Sequence, residues 1–312
     1  MSMNFKIKVS SKSFSRNPTL RKELLASFPY AEFNDKLEEF TADNFAAYID
    51  NSQGMVVGLE PVIGPVLAEC PNLELVSKFG VGLDNIDLVA TDKYNVKIGW
   101  TGGVNRRSVS EMTLCFMIGL SRHILFSSRN LVRLDDWNKN GGFDLSHQTV
   151  GIIGAGYIGK DLVTLLKPFG CRILVNDIID QADYYQANGL ISSSKEEIYA
   201  QADIVTVHTP LDETTRGFCN ADAFRQMKET SYFINCARGG LVLQTDLKQA
   251  LMDGTIAGAA IDVFEFEPSD DRELINLPNL ICTPHTGGSS DEAVLAMGRS
   301  AISHLVSHFI RK

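Results

Sequence analysis

The sequence predicts an α/β protein made of two Rossmann-like, doubly wound parallel-sheet domains. Three observations predict it. Short Val- and Ile-rich runs alternate with helical patterns along nearly all of the 312 residues, the signature of strands linked by crossover helices. A chain of this length holds about two domains at roughly 100–200 residues each. A glycine-rich strand–turn–helix motif, which usually opens a domain, falls only at Val150–Gly159, so another domain must precede it.

In the first part, Phe5–Val9, Met55–Leu59, Leu73–Phe79 and Lys97–Thr101 read as strands. Pro18–Phe28, Ala42–Asp50, Pro61–Glu69 and Ile86–Tyr94 read as helices. A long helix follows, with Asn105 as its expected cap and Val109, Met112, Leu114, Cys115, Phe116, Ile118 and Leu120 along it. So broad an apolar surface predicts burial between domains or subunits. Segment 134–148 reads as a loop. Further strands read at 149–153, 172–176, 203–207, 231–235, 257–262 and 280–283, with helices between them and a last amphipathic helix at Ser290–Ile310.

Lys and Arg number 29 against 38 Asp and Glu, a formal charge of −9. That balance argues against a broad basic surface for nucleic acid or anionic membrane, while allowing a local pocket for an anionic metabolite. Six cysteines are scattered, the nearest two (Cys219 and Cys236) 17 residues apart, so no CxxC motif exists. Free thiols in a reducing compartment are expected. With no signal-peptide core at the N-terminus and no apolar run near the ~20 residues of a span, the expectation is a soluble, cytoplasmic protein.

The strongest motif is Gly154-Ala155-Gly156-Tyr157-Ile158-Gly159 after an apolar strand. Gly154 makes the tight turn, Gly156 lets a pyrophosphate approach the backbone, and Gly159 lets the helix pack on its strand. The free N–H groups at Tyr157, Ile158 and Gly159 and the positive end of the helix receive the anion. Asp177 ends the next strand, 18 residues after Gly159. A carboxylate there accepts from ribose hydroxyls and repels a 2′-phosphate, so NAD is expected over NADP.

Three polar segments follow later strands: Asn235–Gly240 with Arg238, Asp262–Pro268 with Glu267, and Thr283–Gly288 with His285. In open α/β sheets ligands sit beyond the carboxyl ends of strands. An Arg, an acid and a His there suit a 2-hydroxy acid. Arg238 binds a carboxylate through its planar fork. His285 gives or takes the hydroxyl proton, and Glu267 fixes its tautomer and raises its pKa.

With Lys78-Phe79-Gly80-Val81-Gly82-Leu83-Asp84-Asn85-Ile86-Asp87 and Asn105-Arg106-Arg107-Ser108-Val109-Ser110-Glu111 added to these motifs, nearly the whole chain resembles the D-isomer-specific 2-hydroxyacid dehydrogenases. Within them the D-3-phosphoglycerate dehydrogenases look most similar. The resemblance implies Arg238 for substrate orientation, His285 as acid/base and Glu267 as its partner. It implies that amides at Val81 and Gly82, in the turn with Gly80, hold the substrate carboxylate, with Lys78 facing the substrate. It places Asp262 at the nicotinamide amide, Cys236 and Ala237 on the nicotinamide-side wall, and Thr209 and Pro210 in the adenine pocket. It also implies a substrate domain of 1–104 with 285–312, an NAD domain of 105–284, an active-site cleft that closes between them, and a homodimer through the cofactor domain. A non-catalytic, NAD(H)-sensing partner-binding protein, like the corepressors that resemble this family, is the alternative of a different class.

Departures from the pattern bear on substrate. Phosphoglycerate enzymes often carry Arg after the Val57-Gly58-Leu59 segment, whereas this chain has Glu60-Pro61. An acid there repels phosphate and favours glyoxylate, hydroxypyruvate or another 2-oxo acid over 3-phosphoglycerate. Thr101-Gly102-Gly103 replaces a Thr-Pro-Gly type turn. The C-terminal regulatory domain of serine-regulated relatives is not expected. His304 and His308, four apart with no third ligand in view, read as a helix surface and not as a metal site.

Overall fold

A computed structural model describes residues 5–139 and 141–311. The chain divides into two compact units, 1–105 with 289–312 and 106–288. The first holds β1 (Ile7–Val9), α1 (Lys12–Arg16), α2 (Pro18–Ser27), β2 (Glu32–Phe33), α3 (Ala42–Ile49), β3 (Gly54–Val57), α4 (Gly64–Ala68), β4 (Leu75–Lys78), α5 (Leu88–Lys93), β5 (Lys97–Gly99) and the C-terminal helix Asp291–Phe309. Its strands pair in parallel in the order β2-β1-β3-β4-β5, the doubly wound order of flavodoxin-like sheets.

The second unit holds α6 (Arg106–Ser121), α7 (Ile124–Leu134), β6 (Thr149–Ile153), α8 (Tyr157–Leu166), β7 (Arg172–Asn176), α9 (Ala182–Asn188), β8 (Ile191–Ser192), α10 (Lys195–Gln201), β9 (Ile204–Val207), α11 (Ala221–Gln226), β10 (Tyr232–Asn235), α12 (Gln244–Met252), β11 (Gly258–Ile261), α13 (Arg272–Ile275) and β12 (Leu280–Cys282). The order is β12-β11-β10-β9-β6-β7-β8. The chain reverses direction across the sheet between β6 and β9, and ligands bind beyond the strand ends at such a point. Strands β3, β4, β9, β10 and β11 are buried along their whole length, which is why most of them read as largely apolar runs and not as alternating ones.

Local chemistry sets many boundaries. Asn17 caps α2 and Pro18 opens it; Thr41 and Ser194 form capping boxes with Asn44 and Glu197; Ser290 caps the C-terminal helix. Several expectations need correction. Pro61 and Ile86 do not begin helices, because Val62 and Ile86 form a parallel bridge and the helices start after it. Asn105 does not cap α6 through its side chain, whose Oδ1 is buried with no partner among the described residues. The short elements α1, β2 and β8 were not legible as separate elements, and α7 was not read as a helix.

Helix α6 is buried inside its own unit by Val109, Phe116, Met117 and Leu120 and packs on α8. The exposed apolar helix is α7, which buries no residue and leaves Val132 82% and Leu134 71% exposed. Among the described residues no single helix is long and apolar enough to cross a membrane; α6 and α7 meet that length and composition only together, bent by 60°. No two of the six cysteines are paired.

Candidate active site

The glycine turn leaves β6 at the reversal point. Gly154 has φ +102°, and a Cβ there would lie 2.7 Å from the His208 backbone, so only glycine fits the crossing of β6 by the segment after β9. At Gly159 a Cβ would overlap the Gly154 carbonyl. Gly156 differs, since its missing Cβ faces open space among the described residues. It stands at the N-cap of α8 with no side chain capping the helix, leaving the amides of Tyr157, Ile158 and Gly159 available to an anion. Asp177 follows β7; its carboxylate accepts from Ala155 N at 2.7 Å and Ile179 N at 2.9 Å. Two further lone pairs remain for ribose hydroxyls.

Thr209 and Pro210 follow β9 on the other side of the reversal. The Thr209 hydroxyl and the Nδ1 of His208 are buried without partners among the described residues. Burial keeps His208 neutral by lowering its pKa to about 4. Cys236 and Ala237 are sunk in core clusters. Burial pushes the Cys236 thiol up to about 12, so it acts as an apolar group. An open turn, an uncapped helix end, an acid at the second strand and a Thr hydroxyl without a partner together fit a dinucleotide.

The other strand ends carry the polar residues. Arg238 follows β10 and donates from Nη1 to the Ala237 carbonyl at 2.7 Å. A Cβ on Gly239 would overlap the Phe264 carbonyl, so the Arg238 and Glu267 loops interlock backbone to backbone. Glu267 Oε1 accepts from Phe264 N at 3.0 Å, and Oε2 lies 2.7 Å from His285 Nδ1. His285 sits at φ +53°, an uncommon conformation for a side-chain-bearing residue and typical of functional sites.

The electrostatics run between these groups. The hydrogen bond to Glu267 raises the His285 pKa, against burial and the Arg238 charge, which lower it. Burial alone would raise the Glu267 carboxyl, but the His285 bond, the Phe264 amide and the Arg238 charge together hold it below its ordinary value. The pair therefore favours imidazolium facing carboxylate.

Asp262 is a buried acceptor for the loop that carries His285. It is 1% exposed. Its Oδ1 accepts from Thr283 Oγ1 at 2.5 Å and Thr286 N at 2.8 Å, and Oδ2 from Gly287 N at 2.7 Å. The carboxylate thus anchors the loop that carries His285, and Oδ2 keeps a lone pair with which to accept a further N–H. Lys78 corrects its expected placement: it is buried, with Nζ 2.5 Å from both the Gly58 carbonyl and Asn85 Oδ1. The ammonium braces the loop after β3. Gly80 takes φ +141° beside it, with Val81 and Gly82 half-buried in the same turn. Glu60 folds back so that Oε2 accepts from Gly58 N at 2.5 Å. Sequence reasoning missed the roles of Asp262 and Lys78 as braces, because Gly58 lies 20 residues from Lys78 and Gly287 lies 25 from Asp262.

Residues 114–287 match the model of the D-isomer specific 2-hydroxyacid dehydrogenase NAD binding domain. D-3-phosphoglycerate dehydrogenase of Bacillus subtilis (strain 168) is 38% identical over 226 residues, 72% of this chain and 43% of that one. Glycerate dehydrogenase of Methylorubrum extorquens is 30% identical over 290 residues, 89% of each chain. The solved pyruvate reductase of Chlamydomonas reinhardtii superposes with a TM-score of 0.83 at 25% identity, covering 100% of this chain and 98% of that one. The chain spans about half the length of the phosphoglycerate dehydrogenases it matches. With its glycine turn, reversal point and NAD-binding domain in this order, the chain belongs to the D-isomer-specific 2-hydroxyacid dehydrogenase family.

Proposed function

We propose that the protein is an NAD-dependent dehydrogenase that interconverts a small, non-phosphorylated D-2-hydroxy acid and its 2-oxo acid. The observation that carries the proposal is the His285–Glu267 pair at 2.7 Å with the Arg238 charge acting on both members. Arg238 binds the substrate carboxylate and polarises the adjacent carbonyl. The Val81 and Gly82 N–H groups, in a turn with Gly80, are suited to hold a substrate carboxylate as an anion nest. His285, held through Nδ1, offers Nε2 to the substrate oxygen, giving a proton in reduction and taking one in oxidation. Bound NAD(H) supplies or accepts the hydride. Gly154, Gly156, Gly159 and the amides of Tyr157 and Ile158 hold its pyrophosphate, Asp177 its ribose, and Thr209 and Pro210 its adenine side.

The substrate choice rests on the loop after β3, where Glu60 supplies negative charge and Lys78 is engaged with Gly58 and Asn85. The glycerate dehydrogenase and pyruvate reductase names among the similar proteins agree with an unphosphorylated acid. A panel of glyoxylate, hydroxypyruvate, pyruvate and phosphohydroxypyruvate, followed by NADH absorbance, tests this. Turnover of the unphosphorylated acids is expected. A preference for phosphohydroxypyruvate would overturn the substrate reading, and silence on all four would overturn the activity.

In Asp177→Ala the ratio of kcat/KM with NADH to that with NADPH should fall by about tenfold or more, since the charge that repels a 2′-phosphate is gone. An unchanged ratio would mean the ribose is read elsewhere. Glu267→Gln removes the leading cause of the raised His285 pKa. Protonated His285 drives reduction, so the limb on which reduction declines should move to lower pH; a limb that stays in place removes Glu267 from its role.

A homodimer in the cytoplasm completes the reading. Helix α7 lines a groove with Leu125, Phe126, Arg129 and Val132 against Ile281 and Cys282 of the edge strand β12. An unburied apolar helix beside a sheet edge is a self-complementary surface for a second copy. Val132→Lys should convert the dimer to a monomer in light scattering, and an unchanged mass would exclude this face. Six unpaired thiols suit a reducing compartment.

A further inference from the structure

Two amides form a carboxylate nest only when both N–H groups are held toward the ligand. In a trans peptide unit the carbonyl of one residue and the N–H of the next point in opposite directions. Fixing the Val81 carbonyl therefore fixes the Gly82 N–H. That carbonyl accepts a hydrogen bond from the indole Nε1 of Trp100 at 2.9 Å. Trp100 directly follows β5, the neighbour of β4 in the sheet, and remains 39% exposed. Core packing is thus not its main work.

Trp100 is itself held in place. His304, on the C-terminal helix, lies beside the Trp100 backbone. Its Nε2 lies 2.9 Å from Thr101 Oγ1, which in turn accepts from Ser300 Oγ at 2.9 Å. Burial lowers the His304 pKa and keeps the ring neutral. Gly99 lets the imidazole approach, because a Cβ there would lie 2.5 Å from His304 Cβ. Every group in this chain of contacts belongs to the first unit.

We infer that Trp100 is a positioning residue for the substrate carboxylate: its indole N–H holds the Val81–Gly82 peptide in the orientation that turns the Gly82 N–H to a 2-oxo or 2-hydroxy carboxylate. The inference rests on the reading of Val81 and Gly82 as the carboxylate nest. Trp100→Phe keeps an aromatic ring and deletes the donor. Benzothienylalanine at position 100 keeps the bicyclic shape and deletes only the N–H, which separates donor loss from misfolding.

In both variants KM for the 2-oxo acid turned over by the wild type should rise about tenfold. Oxamate, a stable carboxylate with an adjacent carbonyl, should bind the NADH-loaded protein more weakly by the same factor in calorimetry. The values of kcat, NADH affinity and Tm should stay unchanged. Unchanged KM and oxamate affinity overturn the inference, as does a loss spread equally over kcat, NADH affinity and Tm, which would make Trp100 a packing residue. A wild type that binds oxamate, loses it in both variants and reduces no 2-oxo acid would leave Trp100 in its role and refute the dehydrogenase reading instead. A wild type that neither binds oxamate nor reduces any 2-oxo acid refutes both.

Discussion

Replacing His285 by alanine should lower kcat by about 10²–10⁴-fold while NADH affinity stays nearly intact. The imidazole has one nitrogen committed to Glu267 at 2.7 Å, so the other is the proton donor that the proposed reduction requires. Glu267, freed of its partner, loses the hydrogen bond that holds its carboxyl low, but it lies behind the imidazole and does not take over the transfer. Stopped-flow NADH binding together with steady-state turnover separates the two effects. Turnover near the wild-type rate would remove His285 from acid/base chemistry.

Arg238→Ala should reduce kcat/KM by about 10³, roughly 4 kcal/mol, through both KM and kcat, because in the proposed reaction the guanidinium meets the substrate before and during hydride transfer. Arg238→Lys should recover only part of this, since an ammonium lacks the planar fork. A second signature distinguishes Arg238 from a passive anchor. Its charge lowers the His285 pKa, so its loss should move the declining limb of reduction to higher pH, opposite to the shift in Glu267→Gln. Limbs that move in the same direction, or an unchanged specificity constant, would count against its place beside the imidazole.

Much of the architecture was legible because the determinants are local. Glycines at 154 and 159 after an apolar strand define a turn whose geometry few other residues tolerate. The buried strands β9, β10 and β11 announce themselves as continuous apolar runs. The short elements were not legible: α1 spans five residues and β2 and β8 two each, too few for a periodicity to register. Helix α7 escaped for another reason. Only Phe126 on its apolar side packs against the unit's core and none of its residues is fully buried, so the broad apolar surface of the sequence belongs mainly to α6, which is buried.

The sequence by itself determined the α/β class, the family and the set of residues available for chemistry, because turn geometry, strand burial and motif order are properties of neighbouring residues. Only the tertiary structure decided what each polar side chain is bonded to. It tied Asp262 to the loop that carries the imidazole, turned Lys78 inward onto Gly58 and set Trp100 against the Val81 carbonyl. These pairings cross 19 to 25 residues of chain. A buried or half-buried polar group must find a hydrogen-bond partner, and which partner it finds depends on strands and loops brought together only by the fold.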